Sequence, residues 1–123
     1  RGSADQRSEE SAALEGVLHA RRTDPRIADW LATASATTEV EAAQLRHIRR
    51  EYDRAMKIPA RLAQELARLT SLSQGIWADA RARIDVAHFL PTLAQVIALK
   101  REEAAALAPL SSDGSNGVSV IAC

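Results

Sequence analysis

Apolar residues recur along this chain every three or four positions, and nothing before the last few residues alternates in the two-residue rhythm of a β-strand. The predicted class is all-α, with four to five helices. Ser8, followed by Glu9 and Glu10, offers a hydroxyl and two carboxylates to a first helical turn. Leu14, Val17 and Leu18 then mark an apolar stripe, and the helix is expected to stop near Arg22. At Asp24-Pro25 a capping carboxylate precedes a proline at the first helical position, and Ile27, Trp30, Leu31 and Ala34 follow at the spacing of one face. Thr38 and Glu41 have the spacing of a capping box, so a third helix is expected to run towards Lys57, with Leu45, Ile48, Tyr52, Ala55 and Met56 near its buried side. Pro59 interrupts it and opens the next helix. Leu62, Leu66, Leu69, Ile76, Ala80 and Ile84 describe one long helix of about 25 residues, roughly 38 Å, with Gly75 as its weak point. A second proline break is predicted at Phe89-Leu90-Pro91, before a final helix through Leu93, Val96, Ile97, Ala104 and Leu107. The two long helices are expected to pair antiparallel.

The helical segment occupies 8–108. Residues 1–7 read as a tag remnant or disordered N-terminus. After Pro109 the composition turns to Ser, Gly, Asn and Asp, so 109–123 reads as a flexible or non-native tail, irregular in structure, whose Val118-Ser119-Val120-Ile121-Ala122 could add as a strand to a neighbour. With 123 residues the chain fits one small domain or a piece of a larger body. Aromatic residues make up only 3%, so any core is built from Leu, Ile, Val and Ala.

Sixteen basic residues balance sixteen acidic ones, which argues against a nucleic-acid or anionic-membrane partner drawn in by global charge. No apolar run approaches the roughly 20 residues that span a bilayer. A cytoplasmic location is the resulting expectation. Cys123 has no second cysteine to pair with, and no base to activate it.

The candidates for chemistry are few. His19, His47 and His88 share no helical-turn spacing, so ordinary surface or half-buried histidines are expected rather than a metal site. Arg46, Arg50 and Arg54 lie one turn apart and form a basic stripe able to meet a phosphate or a peptide carboxylate. Glu51 and Asp53 dilute that stripe and favour a solvated or ion-paired role. Trp30 and Trp77 sit beside apolar stripes, where interhelical packing is the expected role before that of a substrate platform. Trp77 is also a candidate contact to a larger body.

The run Arg49-Arg50-Glu51-Tyr52-Asp53-Arg54-Ala55-Met56-Lys57-Ile58-Pro59 resembles a string from the N-terminal region of carboxypeptidase Taq enzymes. Thr23-Asp24-Pro25-Arg26-Ile27 precedes it in the family's order, and Trp77-Ala78-Asp79-Ala80-Arg81 and Phe89-Leu90-Pro91-Thr92-Leu93 follow. Gly75, Val86-Ala87-His88 and the Ser/Gly tail depart from the pattern, and the tail suggests truncation. The resemblance implies a mostly helical body with a deep groove, of which the N-terminal helices form a wall or lid. It further implies release of C-terminal amino acids from peptide substrates by a divalent metal, zinc or cobalt, and homodimers in many members.

The family's metal is held largely by an H-E-x-x-H motif. Here His19 precedes Ala20, His47 precedes Ile48 and His88 precedes Phe89, so none of the three begins it. The expectation is a segment with no catalytic, cofactor-binding or metal residues of its own, inactive alone. The alternative is a free-standing helical module that binds a partner helix. A homo-oligomer is expected either way, through the face made by Leu62, Leu66, Leu69 and Ile76.

Overall fold

The computed structural model describes residues 3–108, which form five helices: α1 (Ala4–Arg22), α2 (Pro25–Thr33), α3 (Glu39–Lys57), α4 (Ala60–Arg83) and α5 (Val86–Leu107). No β-strand occurs among the described residues, and no helix among them is long and apolar enough to cross a membrane. The expected tail at 109–123 with Cys123, together with Arg1 and Gly2, lies outside them.

Three helix starts follow the local chemistry read above. The Asp24 side chain accepts from the Arg26 amide at 2.9 Å ahead of Pro25, Thr38 and Glu41 close a capping box, and Pro59 opens α4. α1 differs. Its cap is Ser3, whose hydroxyl accepts from the Gln6 amide at 3.1 Å. Ser8 lies inside the helix, is 1% exposed, and donates its hydroxyl to the Asp5 carbonyl at 2.7 Å. A helical Ser can satisfy itself in this way on the carbonyl one turn back, which removes the need for a cap there.

α4 is the central element. α1 runs antiparallel to it, as shown by Ala4 beside Gly75 and by the Glu9–Arg68 ion pair at 2.5 Å. α5 also runs antiparallel to it, through the Arg61–Glu102 ion pair and the edge-to-face stack of Trp77 on Phe89, with ring centroids 5.2 Å apart. The expected α4–α5 pair is therefore present, and α4 has a second and more extensive partner in α1.

The packed face of α1 is made of small residues. Ala4, Ser8, Ser11, Ala12 and Gly16 are buried or half-buried, whereas Leu14 and Val17, the expected core stripe, are about 60% exposed. Small side chains let two helix backbones approach closely. A Cβ on Gly16 would overlap the Gln64 carboxamide, and one on Gly75 would lie 3.9 Å from Ala4 Cβ. Gly75 thus sits in an unbroken helix at a close crossing rather than at a weak point.

The face expected to mediate oligomers is largely used within the chain. Leu62 is fully buried, and Leu66, Leu69 and Ile76 are half-buried.

The α4–α5 corner corrects two further expectations. Ile84 does not extend the buried stripe: it is 91% exposed, with φ 55° and ψ 37°. The Ile84 amide donates to the Arg81 carbonyl at 3.3 Å and the Asp85 amide to the Ala80 carbonyl at 2.9 Å, the pairing of a Schellman motif, whose left-handed position normally holds glycine. Asp85 then caps α5, accepting from the His88 amide at 3.2 Å. With a cap already in place, α5 starts ahead of Phe89 and carries Pro91 inside it, leaving the Ala87 carbonyl without its usual amide donor.

A β-branched residue in the left-handed region costs about 1–2 kcal/mol. Ile84→Gly is therefore expected to stabilise the chain by roughly 1 kcal/mol, after the entropy glycine adds to the unfolded state. A urea midpoint that stays put or falls would refute this account of the corner.

Among the described residues the buried apolar core is only Ala12, Leu31, Leu62 and Ala80, and α3 buries no residue at all. α2 and α3 form an arm on the α1–α4–α5 layer. Trp30, expected in the packing, is 61% exposed, with the Arg26 guanidinium 5.8 Å from its ring centre.

Candidate functional site

Two concavities flank α3, and the arginine-rich string lies between them. The first, of about 540 Å³, opens where α2 and α3 meet the end of α1. Its floor is Ile27, Ile48, Tyr52, Ala55 and Ile58, and its rim Arg22, His47, Glu51 and Arg54. The second, of about 570 Å³, lies between α3 and the end of α5 and is lined by Arg50, Glu51, Asp53, Arg54, Lys57 and Leu107.

Arg54 thus stands on the ridge between the two, with Arg50 on one side only. Arg46 lines neither, although it shares the helical face. None of the three forms an ion pair among the described residues. Trp77 is remote from both concavities, on α4, 47% exposed and stacked on Phe89.

The residues that hold this region together are different ones. Arg49 donates to the Leu31 carbonyl at 2.9 Å, placing a cation at the C-terminal turn of α2, where the helix dipole favours it. His19 Nε2 lies 2.7 Å from the Ile58 carbonyl and ties α1 to the α3–α4 corner. The signal for His19 was in the sequence: Pro59 forces Ile58 into extended geometry and turns its carbonyl out of the helical ladder. Arg49 carried no such mark, because its partner is a backbone atom on another helix.

The starts of α2 and α3 are both tuned by charge. The Arg26 side chain and backbone amide hold the Asp24 carboxyl at about 2, below its ordinary 3.8. Hydrogen bonds from the Thr37 hydroxyl and amide and the Thr38 amide lower Glu41 as well. For carboxyls depressed in the folded state, the stabilisation is complete above their unfolded values and disappears as pH falls through the folded ones. Acidification from pH 5 to pH 2 is therefore expected to fray the starts of α2 and α3 before the α1–α4 pair opens. Residue-resolved amide exchange checks the order, and Glu41→Gln is expected to remove the α3 component.

Among the described residues no group of three or more His, Cys, Asp or Glu side chains could hold a metal ion. His19 is committed to a backbone carbonyl, and His47 and His88 are exposed on different helices. What the geometry offers is an apolar trough with a basic rim.

Residues 1–115 match the model of the carboxypeptidase Taq (M32) metallopeptidases. The chain belongs to this family. It is similar to thermostable carboxypeptidase 1 of Thermus thermophilus, 41% identical over 109 residues, which is 84% of this chain and 21% of that one. The chain thus spans about a fifth of the length of this M32 relative. No solved structure matches it. The metal that the M32 name implies finds no donor set of three His, Cys, Asp or Glu among the described residues.

Proposed function

We propose that this chain supplies non-catalytic helical scaffold to a metal-dependent carboxypeptidase that releases C-terminal amino acids from peptides, its helices walling or covering the peptide groove. The observation that carries this reading is the amount of large apolar side chain left open: Leu14 and Val17 on α1, Trp30 on α2, Val40, Ile48 and Met56 on α3, and Val86, Leu90 and Ile97 on α5 are between 42% and 67% exposed. Large apolar side chains left open in such number on four helices suit a surface that another body covers. Membership of the M32 family supports the activity assigned to the whole, and the absence of H-E-x-x-H from the chain supports a scaffold role.

The test has two arms. The purified chain, given zinc or cobalt, is expected to release nothing from a carbobenzoxy dipeptide, and turnover would end the non-catalytic reading. Mixed with a polypeptide carrying the part of the Thermus relative beyond its matched region, the chain is expected to shift its tryptophan emission to the blue as Trp30 and Trp77 are covered, and to yield peptidase activity. Unchanged emission and no gain in activity would rule out the scaffold role.

A further inference from the structure

The first concavity is a recess within the chain, where the last turn of α1 meets α2 and α3. Four of its floor residues, Ile27, Tyr52, Ala55 and Ile58, are half-buried, and only Ile48 is open, at 48%. Its volume of about 540 Å³ falls in the range of small-molecule sites, roughly 300–1,000 Å³. The ionised groups stand on the rim and none on the floor. Arg22 is shared with Glu15, 3.3 Å away. Arg54 makes no ion pair among the described residues, and neither does Glu51, the rim's one acid. The trough therefore offers one uncommitted guanidinium at the edge of an apolar surface.

We propose that this trough binds a free aliphatic carboxylate of the fatty-acid class, its chain along Ile27, Ile48, Tyr52 and Ile58 and its head group on Arg54. Charge selects the head. A guanidinium presents two parallel donors to a planar carboxylate, and one such cation balances one such anion. A phosphate monoester carries about 1.5 to 2 charges at neutral pH and would meet Glu51 with part of that charge unbalanced. The floor selects the tail. Its side chains carry no donor or acceptor apart from the Tyr52 hydroxyl, and the Ile58 carbonyl is already taken by His19. A polypeptide laid there would leave amide groups without protein partners, a cost that an alkyl chain does not meet. The inference does not rest on the carboxypeptidase reading above.

The test titrates decanoate into the chain, below its micelle-forming concentration, while the isoleucine methyl signals are followed by carbon-resolved NMR. Saturating shifts at Ile27, Ile48 and Ile58, with Ile76 and Ile97 unmoved, are the expected result. Decanol, which keeps the tail without the charge, is expected to bind about tenfold more weakly. Butyrate, with the charge and little tail, and a short peptide ending in leucine are expected to bind more weakly still. Arg54→Gln is expected to weaken decanoate about tenfold. Glu51→Gln, which removes the competing anion, should tighten it several-fold, while Lys57→Gln, which lines only the second concavity, leaves it unchanged. All three side chains are exposed, so the far-UV helical signal should persist in each variant. Equal affinity for decanol, or for decanoate in Arg54→Gln, would overturn the carboxylate head site. Equal affinity for the peptide would overturn the fatty-acid class. Shifts that are absent, or that spread to Ile76 and Ile97, would overturn the site itself.

Discussion

Leu62→Ala is expected to lower stability by about 2–5 kcal/mol, the largest loss for any single truncation among the described residues. Leu62 is the one large apolar side chain there with no exposure, in the first turn of the helix that both α1 and α5 pack against. A domain of this size has about 5–15 kcal/mol in total, and four buried apolar residues among those described leave little with which to close the cavity. Urea unfolding followed by far-UV circular dichroism should therefore show the midpoint collapsing or cooperativity lost. A shift corresponding to less than about 1 kcal/mol would mean that the central packing is not where the stability resides.

Ala12→Leu is expected to act in the opposite sense sterically and the same sense energetically. Ala12 is 4% exposed on the small-residue face that lets α1 lie close to α4. The added isobutyl bulk cannot fit between those backbones without moving α1 outward, a cost of about 1–3 kcal/mol. The control is on the other face, where Val17→Ser, at a site 59% exposed, should change stability by less than about 0.5 kcal/mol. Equal effects of the two substitutions in thermal unfolding would show that α1 is rotated from the orientation described.

Much of the fold is legible in the sequence because several of its signals are local. A capping box, an Asp-Pro start and a proline after Ile58 act within one turn of chain, and Thr38, Asp24 and Pro59 stand at the helix starts that they mark. The departures arise from properties that no single helix contains. Leu14, Val17 and Leu18 have the spacing of a core stripe, and large apolar residues usually lie inside, whereas α1 packs through Ser8, Ala12 and Gly16 and turns its larger side chains outward. Pro91 has the mark of a helix break, yet Asp85 already caps α5 ahead of it. Ile84 fits the stripe by spacing, but the corner needs a left-handed residue there, for which isoleucine is a poor choice.

The candidate site is legible to a similar degree. Arg50 and Arg54 come together with Lys57 at one concavity, while Arg46 and Trp77 stand apart from it. Arg49 and His19 give no such warning because each binds a carbonyl on a distant segment, and sequence spacing does not encode such contacts.

The order in which contacts form follows from where α4's two neighbours lie along the chain. Trp77 and Phe89 are separated by only twelve residues, whereas Arg68 and Glu9 are 59 apart. Closing the longer loop costs about 1.4 kcal/mol more in chain entropy. The C-terminal hairpin is thus the natural nucleus, onto which the N-terminal helix docks late.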